Sequence, residues 1–137
     1  MEIIYIEDEW LDQTDVVELY DDVCWKAYTK EPKKLMDGIN NSLYHISAWN
    51  DNDLIGFIRV VGDGNTIVLI QDLLVKGSFQ NNGIGKTLVN MVLKKYKEIR
   101  QKFVITDYED PKYVKYYESL GFSTIDKSQM VALTLAK

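Results

Sequence analysis

The sequence predicts an α+β domain with a mixed sheet. Two features of its apolar pattern indicate this. Three consecutive stretches, residues 43–49, 54–61 and 66–75, are separated by clusters of turn residues, which is typical of an antiparallel meander. The apolar period then lengthens to three or four residues between Leu88 and Ile99, opposite a lysine-rich face, and predicts an amphipathic helix. The length of 137 residues leaves room for one domain, residues 1–137.

The elements before the meander are a strand and two helical regions. Residues 2–6 alternate weakly and predict a first strand. Apolar residues then recur at helical spacing from Val16 to Cys24, which predicts a helix whose apolar stripe, Cys24 included, is buried. Pro32 suits the first turn of a second short helix, which Gly38 would end.

The elements after the long helix alternate between strand and helix. Residues 103–106 predict a short strand. Asp110 is placed to cap a helix that has Pro111 at its first position and Gly121 at its end. Residues 122–125 and 130–135 predict two closing strands.

Composition and charge exclude several classes of protein. With 46% hydrophobic and 27% charged residues the chain is neither disordered nor of low complexity. We expect no signal peptide or membrane anchor, because no apolar run approaches the roughly 18 residues that a membrane helix needs. A net charge of -5 disfavours nucleic acid as a partner. The single cysteine, Cys24, cannot form an internal disulfide, which fits a cytoplasmic protein.

Acidic residues are concentrated at the start of the chain. Nine of them precede the first basic residue, Lys26. They form either a solvated helix face or the mouth of a site that attracts a cation such as an amine. The later basic cluster at Lys94–Lys102 lies near the end of the long helix, where the helix dipole favours positive charge without any partner.

A glycine-containing turn leads into the long amphipathic helix. Gly83 and Gly85 allow the backbone to turn sharply and to come close to a ligand. The first N–H groups of a helix have no internal partner and favour an anion, and no acidic residue occurs between Val75 and Lys97. Neither the Walker loop nor the dinucleotide fingerprint matches, because Gln80 and Leu88 stand where those motifs need glycine. The turn therefore predicts a phosphate site, with an ordinary helix entry as the alternative.

Three segments in order resemble one family over essentially the whole chain. Gln80-x-x-Gly83-x-Gly85, after the strand at residues 70–75, resembles the acetyl-CoA motif of the GNAT superfamily of N-acetyltransferases. The run Tyr-Tyr-Glu-Ser-Leu-Gly-Phe at residues 116–122 is similar to the family's terminal motif. Residues 56–63 resemble the third strand and turn of small bacterial members.

The resemblance implies a fold and a cofactor. The fold would be a mostly antiparallel sheet with helices on both faces and splayed central strands. Acetyl-CoA would bind with its pyrophosphate on the backbone amides of the glycine turn and its pantetheine arm along the strand before it. The implied cofactor contacts are Leu73, Leu74, Val75, Gln80, Asn81, Asn82, Gly83, Ile84, Gly85, Lys86, Asp110 and Tyr117.

The same resemblance assigns the catalytic acid more readily than the base. Tyr117 matches the family tyrosine that protonates the leaving thiolate, and phenol and thiol pKa values are close enough for this transfer. Tyr117 could instead only pack, or only bind the sulfur. Many members carry a base at the positions of Leu69 and Gln71, and neither residue here can take a proton at neutral pH. The nearest carboxylate, Asp72, would lie on the face opposite Gln71 by strand alternation, so it is either catalytic or a structural anchor, and a water chain could replace it.

The acceptor site is expected beside the first helical region. Trp25 and Tyr28 either pack in the core or line a pocket for a cationic or aromatic amine, with Gln71 as a further contact. His45 is the single histidine and has no ligand partners at suitable spacing, so no metal site is expected. Small members of the family often pair, so a homodimer is one expected assembly.

The sequence thus predicts an acetyl-CoA-dependent N-acetyltransferase in which a primary amine of a small molecule attacks the thioester directly. No cysteine lies in either motif to carry a covalent acetyl group. Two alternatives remain: a non-catalytic coenzyme A sensor, which the missing base favours, and a peptide N-terminal acetyltransferase.

Overall fold

The chain divides into two compact units, Met1–Val104 and Ile105–Lys137, and the computed structural model describes residues 2–135. The first unit contains β1 (Ile4–Glu7), α1 (Gln13–Asp22), α2 (Lys26–Thr29), α3 (Pro32–Asn40), β2 (Tyr44–Asn50), β3 (Asp53–Gly62), β4 (Ile67–Val75), a 3-10 turn (Gly77–Phe79), α4 (Ile84–Lys95) and β5 (Gln101–Val104). The second unit contains α5 (Pro111–Ser119) and a 3-10 turn (Ile125–Ser128).

The five strands form one sheet in the order β1-β2-β3-β4-β5. The first three pairings are antiparallel, and β4 pairs with β5 in parallel. The meander therefore arises from short turns between neighbouring strands, whereas the parallel pair needs the α4 crossover. The predicted mixed α+β fold is confirmed.

Helices cover both faces of the sheet in the first unit. Phe57 of β3 packs with its ring 6.4 Å from that of Tyr20 in α1. Its neighbour Gly56 faces the other way, where a Cβ would lie 3.2 Å from Ile84 of α4. Because successive residues of a strand point to opposite faces, α1 and α4 lie on opposite sides of the sheet.

The main core on the α1 face is built from the apolar stripes of α1 and α3 and the inward residues of β3 and β4. Its fully buried members are Leu11, Val16, Leu19, Tyr20, Leu35, Ile39, Leu54, Phe57 and Leu74. Gly38 does not end α3 as predicted, since the helix runs on to Asn40. A Cβ on Gly38 would lie 3.4 Å from Arg59 Nη1, an ordinary van der Waals contact, so the guanidinium packs directly over this residue.

Two local predictions were wrong. Cys24 is exposed, because α1 ends at Asp22 and the chain turns at Cys24 with φ of 65°. Among the described residues no strand follows Val104, although strands were expected at residues 122–125 and 130–135. Backbone bonds there are local, such as Lys127 N–H to Thr124 O at 3.0 Å, because alternation makes a segment suitable for pairing without supplying a partner.

Candidate active site

The second half of β4 has one free edge. Its pairing with β5 covers Ile67–Ile70 only. Beyond Val75, the N–H of Lys76 donates to Ile55 O at 2.8 Å, which makes this a hydrogen-bonded pair in the antiparallel ladder. Hydrogen-bonded and non-bonded pairs alternate, so the main-chain groups of Leu73 and Val75 point away from β3 while those of Leu74 point towards it. This open edge corresponds to the splayed strands that the family resemblance implied.

A β-bulge at Gln71 changes the direction of the side chains that follow. Arg59 pairs with Asp72 and Val60 with Ile70, which leaves Gln71 without a partner on β3. Strand alternation placed Gln71 and Asp72 on opposite faces, and this was wrong. Both side chains contact the Tyr28 hydroxyl. Gln71 Nε2 donates to this hydroxyl at 3.4 Å, and the hydroxyl donates to Asp72 Oδ1 at 3.3 Å. A bulge breaks the two-residue alternation, so adjacent side chains can share a face.

Asp72 is the centre of a buried group of polar side chains, here called the Asp72 cluster: Asp72, Arg59, Tyr20 and Tyr28. The carboxylate is 2% exposed and Arg59 is 8% exposed. Oδ2 accepts from Arg59 Nε at 2.9 Å, from Arg59 Nη2 at 2.8 Å and from the Tyr20 hydroxyl at 2.8 Å. Arg59 Nη1 also donates to Ser42 Oγ at 3.4 Å. The cluster pairs two opposite charges away from water and satisfies both with hydrogen bonds.

The electrostatics of the Asp72 cluster keep both tyrosines protonated. Burial raises the pKa of Tyr20 well above its ordinary value, and the negative charge of Asp72 raises it further. Burial and Asp72 also raise the pKa of Tyr28. Each hydroxyl therefore acts at neutral pH as a donor to the carboxylate.

Trp25 and Tyr28 both pack against the α1 core, and Tyr28 also belongs to the Asp72 cluster. Their rings lie 6.0 Å apart, and each meets the ring of Tyr20, at 5.9 Å and 5.5 Å. Both are half-buried against the α1 core. The hydroxyl of Tyr28 nevertheless reaches Gln71 at the bulge, so this residue joins the α1 core to the exposed edge of β4.

Two of the acidic residues at the start of the chain, Glu18 and Asp22, bind the segment after β4. Lys76 Nζ lies 3.1 Å from Glu18 Oε1 and 2.7 Å from Asp53 Oδ1. Asp22 Oδ2 accepts from the backbone N–H of Gly77 at 2.8 Å. The acidic run thus docks α1 on the end of β4, which neither interpretation from the sequence foresaw.

The glycine turn presents a row of backbone donors. Asn81 and Gly83 are left-handed, with φ of 65° and 77°. Gln80 Nε2 donates to Val75 O at 3.0 Å, and Asn82 Nδ2 donates to Phe79 O and Gln80 O, each at 3.1 Å. These amides bind the carbonyls of the turn. Within the described chain no acceptor lies opposite the N–H groups of residues 81–86. Free donors at a helix start that has no acidic residue fit a pyrophosphate.

The second unit contains the predicted acid and one predicted cofactor contact. Tyr117 is half-buried between Tyr116 and Phe122, with ring centroids 5.4 Å and 5.8 Å away. Burial raises its pKa, so the phenol keeps its proton at neutral pH. Asp110 caps α5 as predicted, accepting from Lys112 N at 3.0 Å.

His45 is buried on β2, opposite Arg59 in the strand register. Its Nδ1 has no hydrogen-bond partner within the described chain. Residues 2–135 contain no group of three or more His, Cys, Asp or Glu side chains arranged to hold a metal ion. No helix in that part of the chain has the length and apolarity needed to cross a membrane.

Sequence reasoning missed Arg59 and Tyr20 as members of the site. Arg59 was treated as part of a strand motif and Tyr20 as core. A signal was present, since Arg59 and Asp72 are single charges inside otherwise apolar strands. A charge is almost never fully buried unless it is paired, so each predicts the other.

Comparisons with known proteins agree on one family. A family model described as an acetyltransferase (GNAT) domain matches residues 13–133, which include parts of both units. An uncharacterized N-acetyltransferase, ycf52, of Gracilaria tenuistipitata var. liui is 33% identical over 117 residues, covering 80% of this chain. The match spans only 61% of that relative's length.

Solved structures share the fold. A GNAT family acetyltransferase of Streptococcus pneumoniae TIGR4 superimposes with a TM-score of 0.86 at 31% identity, over 99% of this chain and 98% of that one. The aminoglycoside N-acetyltransferase AAC(6')-Iy, solved with CoA, gives a TM-score of 0.76 at 17% identity, over 99% and 94% of the two chains. The second likeness is one of fold alone. The family match and the free-edged strand with its glycine turn lead to one conclusion: this chain belongs to the GNAT acetyltransferase family.

Proposed function

We propose that this protein transfers an acetyl group from acetyl-CoA to the nitrogen of a small primary amine. The observation that carries the proposal is the row of unpaired N–H groups at residues 81–86, directly after the free edge of β4. A fold neighbour has been solved with CoA, which supports this choice of cofactor. The cofactor supplies an activated thioester when bound.

The backbone of the first unit would hold the cofactor. The N–H groups of residues 81–86 would bind the pyrophosphate, with Lys86 adding positive charge. The outward main-chain groups of Leu73 and the outward N–H of Val75 would pair with the pantetheine amides as an added strand would, while Val75 O is held by Gln80 Nε2. Leu74 has no main-chain group free to bind the pantetheine arm, because its main chain faces β3, and its side chain is buried. One N–H of this edge would polarise the thioester carbonyl.

The transfer needs an amine without its extra proton and an acid for the thiolate. As the N–C bond forms and the C–S bond breaks, the amine nitrogen would release one proton to water, the thiolate would take one from Tyr117, and the Tyr117 phenolate would regain a proton from water. The phenol is protonated at neutral pH, as an acid must be, although burial raises its pKa and so widens the gap from the thiol pKa that the transfer has to cross. Asp110 would contact the cofactor from the start of α5.

Thiol release from acetyl-CoA tests the proposal, measured with benzylamine, spermidine, glucosamine and trialanine as acceptors. Thermal shifts with acetyl-CoA are measured alongside. We expect stabilisation by acetyl-CoA and turnover with at least one small amine. Turnover with trialanine alone would identify a peptide acetyltransferase. Absence of stabilisation at millimolar acetyl-CoA would contradict the assignment of the glycine turn.

A Tyr117→Phe variant tests the acid, with Tyr113→Phe as its control. Tyr113 lies on the same helix but is 41% exposed and in neither motif. We expect Tyr117→Phe to lower kcat by about 10²- to 10⁴-fold, the usual contribution of a general acid. CoA affinity should change by less than about twofold, because the phenol acts on the thiolate. An unchanged kcat would remove Tyr117 from the mechanism.

The second candidate is a coenzyme A sensor that does not catalyse. The observation that favours it is the saturation of Asp72 by Arg59 and Tyr20, which leaves no free carboxylate beside the bulge. Binding of acetyl-CoA without turnover on any acceptor would support this function.

We place the protein in a reducing cytoplasm, because its single cysteine is exposed and unpaired. A homodimer is the assembly proposed from the family resemblance. Size-exclusion chromatography with light scattering would measure it directly.

A further inference from the structure

We propose that Tyr28 binds the acceptor amine and that Asp72 positions it, taking no proton itself. This rests on the proposed function and deepens it. It assigns the acceptor contact to a hydroxyl that α2 carries to the bulge of β4.

The carboxylate of Asp72 is unsuited to act as a base. Three donors already bind its Oδ2. The Tyr28 hydroxyl lies at the other oxygen, Oδ1, so donors occupy both oxygens of the carboxylate, and its charge is paired with the buried guanidinium of Arg59. Asp72 is therefore a fixed acceptor.

The hydroxyl of Tyr28 is oriented by this acceptor. Its single hydrogen lies towards Asp72 Oδ1, with the two oxygens 3.3 Å apart. Every other contact of the oxygen must therefore be made through its lone pairs. Gln71 Nε2 occupies one side at 3.4 Å. The remaining lone pair suits an N–H donor, and a primary amine brings two.

The place of this oxygen fits the acceptor site. Gln71 lies at the bulge, and Leu73 follows two residues later on the free edge, roughly 7 Å along the strand. The pantetheine arm is proposed to lie along that edge. An amine bound at Tyr28 and Gln71 would thus be held near the thioester. Tyr20 also donates to Asp72, but its side chain is fully buried on the core side.

Two matched variants separate the hydroxyls, using the amine of the panel that wild-type protein acetylates fastest. We expect Tyr28→Phe to raise the KM for this amine at least tenfold, with kcat at saturating amine and CoA affinity changed less than threefold. Tyr20→Phe removes the other hydroxyl bound to Asp72. It should lower thermal stability and raise the amine KM by a smaller factor than Tyr28→Phe does.

A double-mutant cycle tests the division of roles. Asp72→Asn should raise the amine KM as Tyr28→Phe does, and the combined variant should add no further increase, since both act through one contact. A base at Asp72 would instead give a 10²- to 10⁴-fold loss of kcat in Asp72→Asn. Should Asp72→Asn fail to fold, the comparison of Tyr28→Phe with Tyr20→Phe still decides whether the Tyr28 hydroxyl holds the amine, and an unchanged amine KM in Tyr28→Phe overturns the inference.

The outcomes separate this inference from the proposed function. Turnover by the wild type with an unchanged amine KM in Tyr28→Phe would overturn the inference and leave the acetyltransferase intact. A wild-type protein that binds acetyl-CoA and acetylates no amine would contradict both.

Discussion

The Asp72 cluster and the glycine turn lie only about ten residues apart in the sequence. Among residues 2–135, the polar groups of the cluster are hydrogen-bonded within the protein, whereas the backbone N–H groups of the turn are not. In the cluster, both oxygens of a buried carboxylate are filled by side chains of α1, α2 and β3. In the turn, the N–H groups of residues 81–86 meet no acceptor within the described chain.

The difference shows which of the two regions has backbone donors open to a ligand. Buried charges must be paired inside the protein, because desolvation without a partner costs several kcal/mol. Exposed N–H groups are bound by water and can exchange it for a phosphate at little cost. Three perturbations test this contrast, and the first should have the largest effect.

Removing the positive charge of Arg59 from the Asp72 cluster should strongly lower the stability of the fold. Arg59→Met leaves the Asp72 carboxylate buried without its counter-ion, and we expect a loss of about 3–5 kcal/mol in the free energy of unfolding. The double variant Arg59→Met/Asp72→Leu removes both charges and should recover most of the loss. Urea denaturation measures both. A single variant within 1 kcal/mol of wild type would show that the pair is not the desolvated ion pair described here.

Changing the backbone of the turn should affect the ligand more than the fold. Gly83 has φ of 77°, and a Cβ there would meet no atom within 4 Å, so glycine is required for conformation rather than for space. We expect Gly83→Ala to cost about 1–2 kcal/mol of stability and to weaken CoA binding at least tenfold as the N–H groups reorient.

Gly83→Asn is the matched control, because asparagine tolerates the left-handed region better than alanine. It should bind CoA within about threefold of wild type, as calorimetry would measure. Equal affinities for the alanine variant and the wild type would separate CoA binding from the geometry of the turn.

The smallest expected effect concerns His45, whose buried Nδ1 has no hydrogen-bond partner within the described chain. Burial lowers its pKa in the folded protein, and Arg59 lowers it further against the opposing effect of Asp8. The unfolded chain then binds more protons than the folded one near its ordinary pKa of about 6.5. Stability should be fully present above that pH and fall as pH drops through the lower folded value.

His45→Gln should remove this component. The loss of thermal stability between pH 7 and pH 5.5 should be smaller in the variant than in the wild type. Identical slopes would mean that His45 takes up its proton as easily in the folded state as in the unfolded state.

The local pattern was enough to predict most of the elements and their order. Leu88 to Ile99 repeats at helical spacing, and α4 forms over Ile84–Lys95. Asp110 and Pro111 together predicted the start of α5. These predictions succeed because capping and amphipathic burial depend on residues a few positions apart. Residues 130–135 show the limit, since their alternation leaves the pairing partner unspecified.

The sequence by itself determined the family, the strand order of the meander and the glycine turn, because each depends on short-range spacing and on conformations that only glycine adopts easily. Only the tertiary structure decided that Gln71 and Asp72 share a face and that the Tyr28 hydroxyl meets both. A one-residue bulge reverses the face of every later side chain, and the partners of Asp72 come from 13 to 52 positions away in the chain. Such contacts follow from packing, which no local pattern contains.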